Sequence, residues 1–159
     1  MRLIIREAIK SDFINIKAMV IEVHKLHVEN RPDVYLDIDK PLDERDFYEL
    51  VNSNYRKVFV VEDTITRELL AYSIVRIILN DNSKILVHKK VVFIDEFCVK
   101  SNFRRQGIGK MLFNYIVKYS EKEGASSLQL AVWEFNREAI IFYDSLGMMT
   151  SNRKMELIL

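Results

Sequence analysis

The run Val91-Val92-Phe93-Ile94-Asp95-Glu96-Phe97-Cys98-Val99 constrains the fold more than any other stretch of this chain. Both alternating sets of positions in it are apolar, as in a strand covered on its two faces and placed centrally in a layered sheet. Asp95 and Glu96 are the anomaly, two acids inside an otherwise buried strand. Downstream, Ile108, Met111, Leu112, Tyr115, Ile116 and Tyr119 fall on one face of a helix that ends near Gly124. Upstream, residues 57–61 and 69–79 are rich in β-branched and aromatic side chains and read as an antiparallel hairpin. A first strand is predicted at 2–6, and a helix capped by Ser11 or Asp12 runs to about His27. Asn30-Arg31-Pro32-Asp33 breaks that pattern before a shorter helix over 44–51. Residues 127–133 read as a strand, Asn136 caps a helix that Gly147 closes, and 153–159 read as a last strand. The succession predicts an α/β (α+β) fold, a mixed central sheet of about six to seven strands flanked by about four helices.

With 159 residues and no Pro/Gly/Ser-rich linker, the chain is read as one domain over 1–159. Lys+Arg 24 against Asp+Glu 23 leaves a formal charge of +1, so no net field draws the molecule to nucleic acid. Cys98 is the single cysteine, which rules out an internal disulfide framework, suits a reducing cytoplasm and reads as a small buried hydrophobe. His24, His27 and His88 are too scattered for a metal set, and no metal is expected. The start MRLIIREAIKSDF holds too short an apolar run for a signal or a membrane span, so the expectation is a cytoplasmic protein without a membrane partner.

Glycine is scarce, four in all, yet Gly107 and Gly109 fall within three residues at the junction of the central strand and the best helix. A helix beginning there offers unpaired N–H groups and its positive dipole end to whatever lies at the strand's end. The two glycines read as clearing room for a close ligand, and Arg104, Arg105 and Lys110 add contacts suited to phosphate oxygens. Two phosphate motifs fail on the letters. A P-loop would need glycine at Arg104 and a hydroxyl at Met111, and the dinucleotide fingerprint would need glycine at Leu112.

The stretch Val99-Lys100-Ser101-Asn102-Phe103-Arg104-Arg105-Gln106-Gly107-Ile108-Gly109 resembles the Arg/Gln-x-x-Gly-x-Gly/Ala signature of the GNAT N-acetyltransferases. A second stretch, from Trp133 through Asn136, Ala139, Phe142, Tyr143 and Gly147 to Met148, is similar to that family's Asn-x-x-Ala, Phe-Tyr, Gly-Phe block. Met148 departs from it by replacing an aromatic residue. The resemblance implies acetyl-CoA as cosubstrate and an amine as acceptor. It implies that the backbone of Phe97, Cys98 and Val99 pairs with the pantetheine arm, and that the amides of Arg105, Gln106, Gly107, Ile108, Gly109 and Lys110 hold the pyrophosphate beside Arg104. Asn136 is the implied contact to the cofactor arm, with Ala139 and Phe142 of the same block on the cofactor side, and Tyr143 the implied general acid to the departing thiolate.

Acetyl transfer needs a neutral amine, so a carboxylate must take its proton. Asp95 and Glu96 are the candidates, with Glu96 favoured for reach. Successive strand residues point to opposite faces, so the two share a pocket only if the strand is bulged. Phe97 or Val99 would supply a backbone N–H to the oxyanion. The competing reading of the acids is a simple pairing with Arg76, and Trp133 and Phe135 read as core. A non-catalytic acyl-CoA sensor or regulatory module of the same fold is the alternative function. Acceptor choice is expected to reside in 23–51 and 79–90, with polyamine, aminoglycoside, amino acid and protein N-terminus all open, and a homodimer is left open as well.

Overall fold

The computed structural model describes residues 1–80 and 84–159. The apolar run becomes β4 (Lys89–Val99), with an antiparallel neighbour, β3 (Leu69–Asn80), on one side and a parallel one, β5 (Ser127–Leu130), on the other. β2 (Arg56–Asp63) and β1 (Leu3–Glu7) extend the sheet beyond β3, both antiparallel, so the order is β1-β2-β3-β4-β5. Four helices cover it: α1 (Phe13–Asn30), α2 (Glu44–Val51), α3 (Ile108–Lys122) and α4 (Arg137–Ser145).

Two apolar layers result. On one face Phe13, Ile16 and Met19 of α1 and Phe47 of α2 pack on Val58, Val60, Tyr72, Ile74 and Cys98. On the other, Ile108, Leu112, Phe113 and Ile116 of α3 pack on Phe59, Val61, Val75, Val92 and Ile94. The α3 stripe follows the expected helical spacing, and even its more open members are used: Tyr115 and Tyr119 stand edge-on to Phe59, with centroids 5.1 and 5.0 Å away. Cys98 is buried, as its apolar surroundings required, and burial with the charge of Glu22 pushes its thiol up to about 12.

Local capping chemistry places the ends of two helices. The Asp43 carboxylate accepts from the Asp46 N–H at 2.8 Å to open α2, and Asn136 Oδ1 accepts from the Ala139 N–H at 3.2 Å to open α4. Asp12 does something other than cap α1. It lies in a 3-10 turn (Lys10–Asp12), where its carboxylate takes the Arg6 guanidinium at 2.7 and 2.9 Å and the Ile9 N–H at 2.8 Å. Arg6 also donates to the buried Glu62 at 2.6 Å, which ties the entry of α1 to β1 and β2.

Among the described residues the sheet has five strands, fewer than the expected six to seven. The strand expected over 127–133 stops at Leu130, and residues 153–159, expected as a last strand, are exposed and form no strand among the described residues.

Candidate active site

β4 changes partners along its length. Val91 to Ile94 pair with Ser127 to Leu130 of β5, and from Asp95 onward β4 pairs with β3 alone. The two parallel strands therefore part at their carboxyl ends, leaving a crevice with one row of β4 backbone groups free of a strand partner. This is where an open α/β sheet accepts ligands. At the same point β4 is bulged. Val75 opposes Ile94 and Ile74 opposes Glu96, with Asp95 the extra residue between. Ile94 lies in the α3 layer, whereas Glu96 meets Tyr72 on the α1 side and Asp95 meets Arg76, which alternates with Ile74 and Tyr72 along β3. The bulge is thus the device that turns both acids to one face.

Glu96 accepts a hydrogen bond from the fully buried Tyr72 hydroxyl at 2.5 Å. Burial raises its carboxyl above the ordinary glutamate value; the Tyr72 hydrogen bond opposes this, the Asp95 charge adds to it, and His27 opposes it. Asp95 is also raised by burial, and Arg76, 2.9 Å away, and Arg56 act against the rise. The two acids are therefore unlike: Glu96 is held by a neutral hydroxyl, and Asp95 is spent on an arginine that itself lies over the Phe93 ring.

The α3 entry closes the other end of the crevice. Arg105 (φ +60°) and Gly107 (φ +83°) both have left-handed backbones. No backbone N–H from Arg105 through Lys110 donates to another group among the described residues; the first helical bond is Met111 N–H to the Gly107 carbonyl. Six successive donors and a helix N-terminus therefore open onto one place. The two glycines have different structural grounds within the chain itself. A Cβ on Gly107 meets nothing within 4 Å, so its left-handed φ is what requires glycine there. A Cβ on Gly109 would come within 3.2 Å of the Phe142 ring and 3.5 Å of Val99, so the missing side chain lets α3 approach α4 and β4.

The charged side chains of the loop are not equivalent either. Arg104 donates to the Val99 carbonyl at 3.1 Å and to Glu22 of α1 at 2.7 Å, so it is engaged by the protein itself. Gln106 donates to the Asn102 carbonyl at 3.2 Å. Lys110 is exposed, and Arg105 is exposed with Glu138 at 3.6 Å. Tyr143 lies in an aromatic wall with Phe97, Phe113 and Phe142, ring centroids 6.2, 6.3 and 5.2 Å away. Burial holds its phenol well above the ordinary tyrosine value, and its hydroxyl has no hydrogen-bond partner among the described residues. Ala139, half-buried, precedes Phe142 by one turn on the same helix.

Several participants escaped the sequence reading. Tyr72 and Ser73, which holds the Glu96 carbonyl at 2.8 Å, reach Glu96 only through the β3–β4 register, in which they pair with Cys98 and Phe97. Trp133 and Phe135, expected in the core, instead stack at 6.1 Å as part of a surface cluster. The Tyr35 hydroxyl accepts a hydrogen bond from the Trp133 indole N–H at 2.9 Å, and His27 packs on Tyr35 at 4.9 Å. Arg31 covers the Trp133 ring at 4.6 Å. The cluster joins the end of α1 to the segment after β5, beside the Glu96 face. Of the 79–90 segment expected to select the acceptor, residues 81–83 lie outside the described residues.

The acetyltransferase (GNAT) family model matches residues 20–148, and the chain belongs to that family. Thialysine N-ε-acetyltransferase of Bos taurus is 32% identical over 56 residues, 35% of this chain, and the match spans only about a third (33%) of that relative's length. The [ribosomal protein bS18]-alanine N-acetyltransferase of Escherichia coli K12 is 24% identical over 121 residues, 76% of this chain and 70% of that protein. Among solved structures, a mutant of the BH1408 protein from Bacillus halodurans superimposes with a TM-score of 0.95 at 31% identity, covering 98% of this chain and 99% of that one. The aminoglycoside N-acetyltransferase AAC(6′)-Iy, solved in complex with CoA, shares the fold at a TM-score of 0.75 and 14% identity, over 99% and 95% of the two chains.

Proposed function

We propose that the protein is an acetyl-CoA-dependent N-acetyltransferase that passes the acetyl group directly to a primary amine. The observation that carries this reading is the set of unpaired N–H groups from Arg105 to Lys110, at the mouth of the crevice where β4 leaves β5. Six main-chain donors and a helix dipole suit a diphosphate and little else of biological abundance. The CoA held by the fold relative AAC(6′)-Iy supports the same ligand.

A bound acetyl thioester would supply an activated acyl carbon, and the remaining chemistry falls to this chain. The free β4 backbone at Phe97 to Val99 would align the ligand's amide arm as an added strand. Glu96, its proton affinity raised by burial, would take the proton of the amine, directly or through a water. A β4 N–H at Phe97 or Val99 would stabilise the charge that develops on the carbonyl oxygen. Tyr143 would give its proton to the departing sulfur. Its raised phenol suits this role because the same apolar wall raises the proton affinity of a thiolate, as burial does for the Cys98 thiol.

Asn136 spends its Oδ1 on capping α4, which leaves its amide NH2 to reach a cofactor arm. Asp95, bound to Arg76, would shape the local field and not accept the amine's proton. The test is to incubate the protein with acetyl-CoA and a panel of primary amines while following free thiol. Thiol release that depends on one amine class supports transfer; saturable CoA binding without release for any amine turns the reading to a sensor.

A further inference from the structure

His27 is a half-buried imidazole that the transfer chemistry above leaves unused. It stands one turn past Val23 on α1, and Val23 packs on the core cluster that holds Tyr72 and Cys98, so the helix carries His27 along the sheet face on which Glu96 meets Tyr72. Tyr35 and Phe135 pack against its ring, with centroids 4.9 and 5.8 Å away. The titratable and charged groups around this cluster are Glu96 from β4, Tyr35 from the loop after α1, His24 one turn back, and Arg31 one turn on, itself held by Asp33 and Glu156.

The hydrogen on the His27 ring is placed by its partner. Nδ1 lies 2.8 Å from the Val23 carbonyl, an oxygen that can only accept, so Nδ1 carries the hydrogen and the neutral ring keeps a lone pair on Nε2. That nitrogen has no hydrogen-bond partner among the described residues. His24 has the reverse arrangement, its Nε2 donating to the Leu36 carbonyl at 2.9 Å.

An amine enters as an ammonium and loses two protons in becoming an amide. One ends on the CoA thiol, and the other must reach solvent. Glu96 can accept that second proton, but the hydroxyl bonded to it leads nowhere: Tyr72 is fully buried, already donates to Glu96, and has its phenol pushed well above the ordinary tyrosine value by burial. Asp95 is taken by Arg76. The charge of His27, in contrast, is felt at Glu96.

We propose that His27 Nε2 takes from Glu96, directly or through a water, the proton drawn from the amine and passes it to solvent. The carboxylic O–H bond breaks and an Nε2–H bond forms, leaving a carboxylate ready for the next amine and an imidazolium with hydrogens on both nitrogens. Loss of the Nε2 proton to bulk water restores the neutral ring. His27 therefore acts through Glu96 and touches neither the thioester nor the amine. This relay rests on the N-acetyltransferase reading, and its test separates the two.

His27→Asn removes the base and keeps the bond to Val23, since Asn30 and Asn52 donate in the same way to the carbonyls four residues back, at 2.8 and 2.7 Å. With acetyl-CoA and whichever amine of the panel releases thiol fastest from the wild-type chain, kcat should fall by about 10²-fold while the KM for acetyl-CoA stays unchanged. Imidazole added to the assay should restore kcat in the variant in proportion to its concentration and leave the wild type unaffected. The acid limb of kcat should also lose one proton of its dependence, because the wild type needs both Glu96 and His27 unprotonated. A wild-type kcat in His27→Asn, or a loss that imidazole does not restore, overturns the relay and leaves the transferase reading standing. A wild-type chain that releases no thiol with any amine overturns both.

Discussion

In the proposed transfer Glu96 and Tyr143 would divide the proton work, and each role carries a separate signature. Burial raises the Glu96 carboxyl above its ordinary 4.5, so the base form appears only as pH climbs through the raised value. kcat/KM should therefore rise from acid with an inflection above that of a free glutamate, and Glu96→Gln should remove this limb and lower kcat/KM by about 10²–10⁴-fold. The linkage to stability has the opposite sense. A raised acid favours the fold below its unfolded value, and that contribution is lost as pH rises through the folded value. Thermal unfolding of Glu96→Gln at neutral pH should accordingly show no loss of Tm, because the amide oxygen still accepts from Tyr72 and no charge is buried. Tyr143→Phe keeps the ring contacts to Phe97, Phe113 and Phe142 and deletes an unpartnered hydroxyl, so kcat should fall by about 10²-fold with Tm unchanged.

Among the elements, the α3 entry and the α1 entry are each fixed by a single backbone or ionic feature. Gly107→Ala forces a side chain into a left-handed backbone and should cost about 1–2 kcal/mol in denaturant unfolding, with a matching loss of CoA affinity from the misaligned amides. Asp12→Ala leaves Arg6 facing Glu62 alone beside a vacated cavity and should cost about 3 kcal/mol. Burial pushes the Asp12 carboxyl up, but the Arg6 hydrogen bonds, the Ile9 N–H and the charges of Arg6 and Arg67 together outweigh it and hold it below 3.8. The stability it adds is present above that value and lost as pH falls through the folded one, so wild type and variant should converge in acid.

What was readable in the letters follows the same division. The span of α2, the Asn136 cap and the α3 stripe depend on neighbours within a few residues, and the structure has them where the periodicity and caps predicted. The bulge at Asp95, the Tyr72 hydroxyl on Glu96 and the loss of a strand at 153–159 depend on cross-strand register, which local pattern does not encode. The crevice itself is of that second kind, since it exists because β5 ends at Leu130 while β4 continues to Val99.

For the molecule as a whole, the two apolar layers fix the sheet, and the parting of β4 from β5 supplies a place where backbone groups of strand and helix converge without partners among the described residues. A ligand bound there couples α3, β4 and α4. Acetyl-CoA at about 100 times its dissociation constant should add roughly 2.7 kcal/mol and raise Tm by about 5–10 °C. Isothermal titration calorimetry of the purified chain with acetyl-CoA is the most direct measurement of all. A saturable heat with one site per chain, diminished by Gly107→Ala and retained in Tyr143→Phe, is the expected outcome. The absence of any heat of binding, or binding indifferent to Gly107→Ala, would contradict the diphosphate cradle.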